Sequence, residues 1–214
     1  MIKLINKTNE QINFTSDMPI SLVNAIRRTV NKIPILAIDS LEISKNDSAL
    51  YDEMISHRLG LIPLKNEKLK APEECDCGKD DGCSKCSIKV KLSATGPCIV
   101  YSDQLTPRGS IVYKMPITIL DKSQELEFIA VARVGIGERH AKYSPGLFYY
   151  KYSEDLEKED DDSFKKLVDE SKKKKNKEII ITIESWGQIT LKDIFIQSAE
   201  TLVEEVKDFL KKIK

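Results

Sequence analysis

The chain has 214 residues, of which 34 are Lys or Arg and 34 are Asp or Glu, so its formal net charge at pH 7 is zero. This balance argues against a protein that binds nucleic acid or anionic membranes through its overall charge. No apolar run approaches the roughly 18 residues that span a bilayer, and residues 1–7 are too short and too polar for a signal peptide. We therefore expect a cytoplasmic protein that binds neither membranes nor nucleic acid directly.

The first third of the chain mixes strands and helices. In chain order, we predict a strand at 2–6, a strand at 11–15, a helix at 19–32, a strand at 35–43 and a helix at 50–59. Ser16 or Asp17 can cap the first helix, which ends before Pro34 because the residue preceding a proline avoids helical geometry. Gly60 is expected to end the second helix.

The middle of the chain is predicted to be mainly β. The predicted strands lie at 88–93, 98–101, 117–120 and 126–132. Residues 154–177 form a low-complexity tract that is first acidic and then basic. Because blocks of like charge repel each other and rarely pack, we interpret this tract as a mobile loop.

The chain ends with a predicted strand at 178–185 and a long helix at 190–213. From Phe195 to Phe209 the apolar residues of this helix follow one another in alternating steps of four and three, the spacing of a seam between two packed helices. Leu210 and Ile213 continue the same face, so the seam consists of Phe195, Ala199, Leu202, Val206, Phe209, Leu210 and Ile213. The seam could be internal core. However, the helix is about 36 Å long, which exceeds what the core of a small domain covers. Together with the apolar face of the first helix, the seam predicts a subunit interface. That first-helix face consists of Ile20, Val23, Ile26 and Val30.

These elements predict an α+β protein with a discontinuous domain. Residues 1–62 and 177–214 would fold together as two main helices against an antiparallel sheet. Residues 63–176 would form an inserted, mainly β domain that carries the cysteines.

Four of the five cysteines form a tight group in the sequence, at Cys75, Cys77, Cys83 and Cys86. Cysteine pairs on tight turns present thiolates to a tetrahedral metal, so the spacing predicts a zinc site. An iron–sulfur cluster and four unliganded thiols are the alternatives. Zinc is favoured because the chain has no Cys-x-x-Cys-x-x-Cys run of the ferredoxin type. Cys98 stands apart in an apolar strand, and we interpret it as a spectator.

Four further motifs stand out in the sequence: Asn24-Ala-Ile-Arg-Arg-Thr-Val, Ile33-Pro-Ile-Leu-Ala-Ile-Asp-Ser, His57-Arg-Leu-Gly-Leu-Ile-Pro-Leu and Gly135-Ile-Gly-Glu-Arg-His-Ala-Lys-Tyr-Ser-Pro. These motifs resemble the α-like subunits of multisubunit RNA polymerases, in particular the archaeal D type, which is similar to the third-largest subunit of eukaryotic RNA polymerase II. The resemblance continues through the cysteine pairs to the last helix and covers nearly the whole chain.

The resemblance implies a non-catalytic assembly subunit. The discontinuous domain would be the dimerisation domain and would pair with a small α-like subunit, L, as a heterodimer. That heterodimer would then bind the second-largest subunit and other core subunits. The residues implied in docking the large subunit are Arg27, Arg28, His57, Arg58 and Gly60.

Simpler interpretations stand beside these. Arg27 and Arg28 could be solvated surface residues, and His57 and His140 could be hydrogen-bonded structural residues. Some D-type subunits carry a ferredoxin-like insertion where this chain has the cysteine-free tract at 154–177. We therefore expect no such insertion here. The alternative function is that of a free-standing iron–sulfur redox protein that uses the four cysteines.

Overall fold

The structure, a computed structural model, describes residues 2–65, 69–77, 82–152 and 179–213. The chain divides into two compact units, which we call unit 1 (residues 1–33 and 145–214) and unit 2 (residues 34–144). Unit 1 is therefore built from both ends of the chain. The predicted mobile tract at 154–177 lies outside the described residues.

Unit 1 combines helices with an antiparallel sheet. Its elements are β1 (Lys3–Lys7), β2 (Gln11–Ser16), α1 (Ile20–Thr29), β8 (Gly146–Tyr152), β9 (Ile179–Ser185) and α3 (Leu191–Ile213). The four strands pair antiparallel in the order β1-β2-β9-β8. Strand β9 lies in the middle of the sheet and is almost entirely buried, as its run of isoleucines requires.

The ends of α1 follow from two prolines. Pro19 occupies the N-cap position in an extended conformation, and no side chain caps the helix. The predicted caps are therefore not used, and Ser16 Oγ accepts a hydrogen bond from the Met18 N–H at 3.2 Å instead. At the other end, Val30–Lys32 form a 3-10 turn, and Ile33 is extended, as expected for a residue before Pro34.

Helix α3 is anchored to unit 1 through its first half. The Phe195 ring contacts Phe14 edge-on, with centroids 5.9 Å apart, and stacks on Phe148 at 6.4 Å. The Thr29 hydroxyl oxygen lies 2.8 Å from the Ser198 carbonyl oxygen, which brings α1 against α3 at a small, fully buried residue. These contacts fix the direction of α3 relative to the sheet.

Strand β8 was not predicted from the sequence. It is an edge strand rich in aromatic residues, a composition that favours strands. Its last residue, Tyr152, pairs with Ile179 at the start of β9. The described chain therefore stops and resumes at neighbouring positions of one sheet.

In the residues that the structure describes, unit 2 is mainly β with one short α-helix. Its elements are β3 (Ile35–Asn46), α2 (Asp52–Gly60), β4 (Ser87–Thr95), β5 (Cys98–Tyr101), β6 (Pro116–Leu120) and β7 (Glu125–Gly135). The order β3-β7-β4 forms an antiparallel sheet, and β5 pairs with β6 as a two-stranded ribbon. Ile55 and Leu59 of α2 are fully buried in the core, which also contains Phe128 of β7.

The units have different boundaries from the predicted domains. The predicted boundaries lie between residues 62 and 63 and between residues 176 and 177, whereas the units meet between residues 33 and 34 and between residues 144 and 145. Strand β3 pairs with β7 along its whole length, from Ile35 opposite Gly135 to Asn46 opposite Leu126, so residues 34–62 belong to unit 2. Strand β8 pairs with β9 and therefore belongs to unit 1. The fold class is confirmed: the protein is α+β, with helices and antiparallel sheets and a cysteine loop in the inserted part.

Candidate functional site

Four cysteine side chains of unit 2 place their sulfur atoms close together. Their Sγ atoms all lie within 4.8 Å of one another, and we call these residues the cysteine cluster: Cys75, Cys77, Cys83 and Cys86. The Sγ–Sγ distances are 3.7 Å for Cys75–Cys83, 3.8 Å for Cys77–Cys86 and 3.9 Å for Cys83–Cys86. All four are free thiols. Four sulfur donors this close together could hold a metal ion.

The second cysteine pair is held by a tight turn directly before β4. The N–H groups of Cys86 and Ser87 both donate to the Cys83 carbonyl oxygen at 2.9 Å, and the Cys83 N–H donates to Cys86 Sγ at 3.2 Å. Cys86 is only 2% exposed, and the strand that follows it lies in the unit 2 sheet. This half of the cluster is therefore fixed by the fold itself.

The first pair follows the 3-10 turn Pro72–Glu74. The Lys70 N–H donates to the Lys85 carbonyl oxygen at 3.0 Å, which joins the two ends of the loop that carries the cluster. An ion pair between Glu73 and Arg139 adds a further link to unit 2. The hydrogen bond between Lys70 and Lys85 thus joins the two ends of the loop, and the four thiols lie close together within it.

The pKa values of two thiols in the cluster move in opposite directions. The backbone N–H of Lys85 lowers the pKa of Cys83 to about 7, against desolvation. The backbone N–H of Cys77 lowers the pKa of Cys75, but desolvation and the Cys77, Cys86 and Cys83 side chains outweigh it and raise this pKa to about 12. Four thiolates at these distances repel one another, so the fully deprotonated cluster requires a cation.

Gly82 has a backbone conformation that the loop depends on. Its φ is +74°, and a Cβ at this position would lie 2.7 Å from Ser87 Oγ and 3.1 Å from Cys86 Sγ. A side chain here would therefore combine left-handed strain with a clash against Ser87 and a tight contact against a cluster sulfur.

We expect Gly82→Ala to weaken metal retention. Left-handed strain costs on the order of 1–2 kcal/mol in a non-glycine residue. The clash with Ser87, the residue that follows Cys86, is expected to disturb the cluster in addition. Metal release to a colorimetric chelator measures the effect, and release should be at least tenfold faster than in the wild type. Gly109→Ala is the matched control, since Gly109 also has a positive φ but nothing within 4 Å of the added Cβ. Equal release rates for the two variants would contradict the role of Gly82.

A second feature is the apolar face of α3. Every side chain from 203 to 213 is exposed. We call the following residues the α3 face, since each is a large apolar side chain that is 50–65% exposed: Val203, Val206, Phe209, Leu210 and Ile213. A helix that exposes five large apolar side chains along one stripe has the form of a binding surface.

The predicted interface residues divide into two groups. Val23, Ile26 and Val30 are at most 5% exposed and pack inside unit 1, so the single chain offers almost none of their surface to a partner, and their place in an interface stays a prediction. Ile20 and the first seam residues of α3, Phe195, Ala199 and Leu202, are half-buried. The seam is open only beyond Leu202.

Val203 was missed as a member of this surface. It lies four residues after Ala199 and three before Val206, which is the same spacing that identified the seam. The sequence therefore contained the signal for it.

The predicted docking residues lie in both units. Arg27 and Arg28 are exposed in the last turn of α1, where Arg27 Nε donates to Asn24 Oδ1 at 3.0 Å. In unit 2, His57 and Arg58 are exposed near the end of α2, whereas Gly60 is buried. Arg58 Nη2 donates to the Pro116 carbonyl oxygen at 2.7 Å, which ties α2 to β6.

An ionic cluster lies beside α2. The Asp39 carboxylate is 3.0 Å from Lys142 Nζ, accepts from the Tyr143 hydroxyl at 2.8 Å and is 3.9 Å from Arg133 Nη1. Burial raises the pKa of Asp39, but these donors and positive charges outweigh it, and the net pKa is lowered. Burial and the neighbouring carboxylate raise the pKa of Tyr143. The cluster therefore holds Asp39 as a carboxylate and Tyr143 as a phenol at neutral pH.

None of the described helices is both long and apolar enough to cross a membrane.

Comparisons with known proteins agree on one family. The family model described as the RNA polymerase Rpb3/RpoA insert domain matches residues 32–147, which nearly coincide with unit 2. A protein named DNA-directed RNA polymerase subunit Rpo3 from Methanothermobacter thermautotrophicus is 40% identical over 172 residues, covering 75% of this chain and 64% of that protein.

Two further relatives extend the match. Subunit Rpo3 of Methanocaldococcus jannaschii is 30% identical over 211 residues, covering 97% of this chain and 93% of the relative. DNA-directed RNA polymerase II subunit rpb3 of Dictyostelium discoideum is 34% identical over 164 residues, covering 67% of this chain and 54% of the relative. The chain thus spans less than two thirds of the Methanothermobacter and Dictyostelium proteins and nearly the whole of the Methanocaldococcus one.

Proposed function

The chain belongs to the Rpb3/RpoA family of RNA polymerase subunits, and from this premise we propose that it is a non-catalytic assembly subunit of an archaeal-type, multisubunit DNA-directed RNA polymerase. It contributes no nucleophile, general acid or catalytic metal ligand to nucleotide addition. Its role is to bind other subunits and so to assemble the polymerase. We expect it to act in the cytoplasm, without binding nucleic acid or membranes itself.

The observation that carries this proposal is the α3 face. Its five large apolar side chains are exposed in the single chain, although water disfavours such a stripe. A second helix laid along it would bury these side chains in the way a domain core does. We propose that the occupant is the small α-like subunit, L, and that unit 1 is the dimerisation domain.

The second part of the proposal concerns the large subunits. Arg27, Arg28, His57 and Arg58 offer exposed donors, and a guanidinium can bind a partner carboxylate through two parallel hydrogen bonds. We propose that these side chains contact the second-largest subunit. Because Gly60 is buried, it would act by shaping the end of α2 rather than by touching the partner.

We propose that the cysteine cluster holds one Zn²⁺. In a tetrahedron with bonds of about 2.3 Å, neighbouring sulfurs lie about 3.8 Å apart. Three Sγ–Sγ distances in the cluster, from 3.7 to 3.9 Å, fit that spacing, and all four sulfurs lie within 4.8 Å of one another. An iron–sulfur cluster inserts several irons and sulfides between its cysteines and would force them further apart. The zinc would hold the loop to the insert domain, which we equate with unit 2.

The alternative of a free-standing redox protein receives no support from the relatives, which are named as polymerase subunits. Such a protein would also leave the α3 face without a purpose.

A tagged version of the chain, purified from native extract, tests the proposed function. We expect it to retain a small α-like subunit and the second-largest polymerase subunit, both identified by mass spectrometry. Expressed alone, the chain should self-associate through its exposed apolar residues, and coexpression with the small subunit should give a soluble one-to-one complex. A well-behaved monomer that retains no polymerase subunit would contradict the proposal.

A further inference from the structure

Three sequence stretches that are far apart in the chain meet at one cleft of unit 2. Strand β3 contributes Asp39 and Ser40, and helix α2 contributes Ser56 and His57. The third stretch is the 3-10 turn Ala141–Tyr143 with the residue before it, and it contributes His140 and Lys142. The cleft has a volume of about 260 Å³ and is floored by Ile38 and Gly60. Small-molecule sites usually measure roughly 300–1,000 Å³, so this cleft suits a single side chain better than a cofactor.

The acid that lines the cleft is compensated by positive charges. Asp39 is the one acid among the lining residues, and its carboxylate lies 3.0 Å from Lys142 Nζ, which also lines the cleft, and 3.9 Å from Arg133 Nη1. It also accepts from the Tyr143 hydroxyl at 2.8 Å. An anionic group entering the cleft therefore meets the Lys142 ammonium and no uncompensated carboxylate among the lining residues.

The hydrogen-bonding groups point to the same kind of occupant. His140 Nδ1 accepts the Lys142 N–H at 3.1 Å, so in the neutral ring the proton sits on Nε2, which is then a donor. His57 also lines the cleft and is exposed, so its imidazole can supply a further N–H donor. An ionised carboxylate accepts only, and it therefore matches a cleft lined by donors.

We propose that this cleft receives an Asp or Glu side chain of the polymerase subunit that docks on unit 2. The inference rests on the proposed function and adds the chemistry of the contact: Lys142, His140 and His57 would bind the incoming carboxylate. Asp39 and Tyr143 hold Lys142 in place and would be positioning residues. The docking surface thereby extends beyond α2 to the Ala141–Tyr143 turn.

Opposite charges at one position test the proposal. Ser56 lines the cleft, and its hydroxyl donates to the Asp52 carbonyl oxygen within the same helix. Ser56→Glu should weaken binding of the second-largest subunit to the coexpressed heterodimer at least tenfold, because the new charge repels the incoming carboxylate. Ser56→Lys has a similar length and should bind at least as tightly as the wild type. His57→Glu is the second variant if Ser56→Glu fails to fold.

Ser44→Glu is the matched control, since Ser44 is exposed on β3 of the same unit and lies outside the cleft. It should bind within twofold of the wild type. A zero-length carbodiimide crosslink provides a second readout. The amine introduced by Ser56→Lys should crosslink to an acid of the large subunit, whereas the amine introduced by Ser44→Lys should not. Equal weakening by Ser56→Glu and Ser56→Lys, or no change with either, would overturn the carboxylate assignment alone. A wild-type heterodimer that does not bind the large subunit would overturn the proposed function together with it.

Discussion

Loss of one cluster cysteine is expected to abolish metal binding and to destabilise unit 2. Cys86→Ser is the most informative change, because Cys86 is buried and joins the loop directly to β4. Structural zinc sites contribute about 10–16 kcal/mol of apparent binding free energy in small peptides, and part of this orders the ligand loop. Because only part of that free energy orders the loop, we expect the free energy of unfolding of unit 2 to fall by on the order of 5 kcal/mol.

The measurement has two parts. Metal analysis should find one equivalent of zinc in the wild-type protein and less than about a tenth of an equivalent in Cys86→Ser after desalting. Denaturant unfolding followed by circular dichroism should show the loss of stability, and a chelator should reproduce it in the wild type. Cys98→Ser is the control, because Cys98 lies on β5 outside the cluster and should leave the zinc content unchanged. Full zinc occupancy in Cys86→Ser, or iron in the wild type, would contradict the assignment.

Truncation of the α3 face is expected to break the heterodimer without unfolding the chain. Phe209 and Ile213 are 63% and 65% exposed in the single chain, so Phe209→Ala and Ile213→Ala remove little that stabilises unit 1. In a complex the same side chains would be buried at the centre of an apolar contact. Large anchors of that kind cost about 2–4 kcal/mol when truncated, which corresponds to a loss of affinity of roughly 30- to 1,000-fold.

A binding titration with the small α-like subunit measures this loss, and thermal unfolding of the isolated chain shows whether the variants still fold. Glu204→Ala provides the comparison, since Glu204 is also exposed on α3 but lies about 140° around the helix from Phe209. If the apolar variants bind as tightly as Glu204→Ala, the α3 face is not the heterodimer interface.

The cysteine cluster was predictable because its information is local. Two close pairs of cysteines, separated by a few turn-forming residues, can converge only within one loop, and the structure brings all four together. The same holds for the end of the helical segment before Pro34 and for the ribbon strand at 98–101, which depend on a nearby proline and on a short apolar run.

The division between core and surface was not fully predictable. Helical spacing identifies an apolar face but does not say which chain covers it. Ile26 and Phe209 lie on similar stripes in the sequence, yet Ile26 is buried by its own unit and Phe209 is exposed. The difference arises because α3 is long enough to extend past the contacts made by Phe195 and Ser198.

Features made by distant residues were the hardest to predict. The unit boundary depends on the pairing of β3 with β7, which joins Ile35 to Gly135 across a hundred residues. The cleft depends on Asp39, Ser56 and Lys142, which belong to three different elements. Strand pairing over such separations is set by the whole sheet rather than by any local pattern.

The pairing of Tyr152 with Ile179 has a practical consequence for engineering. Because the two residues are direct neighbours on adjacent strands at the edge of a sheet, any polypeptide spliced between them enters and leaves the protein at the same spot. Loop-closure entropy rises only slowly with length, by about 0.6 kcal/mol for each doubling. An affinity handle or a fluorescent reporter could therefore be grafted at this position, which precedes the α3 face in the sequence and lies in a different unit from the cysteine cluster.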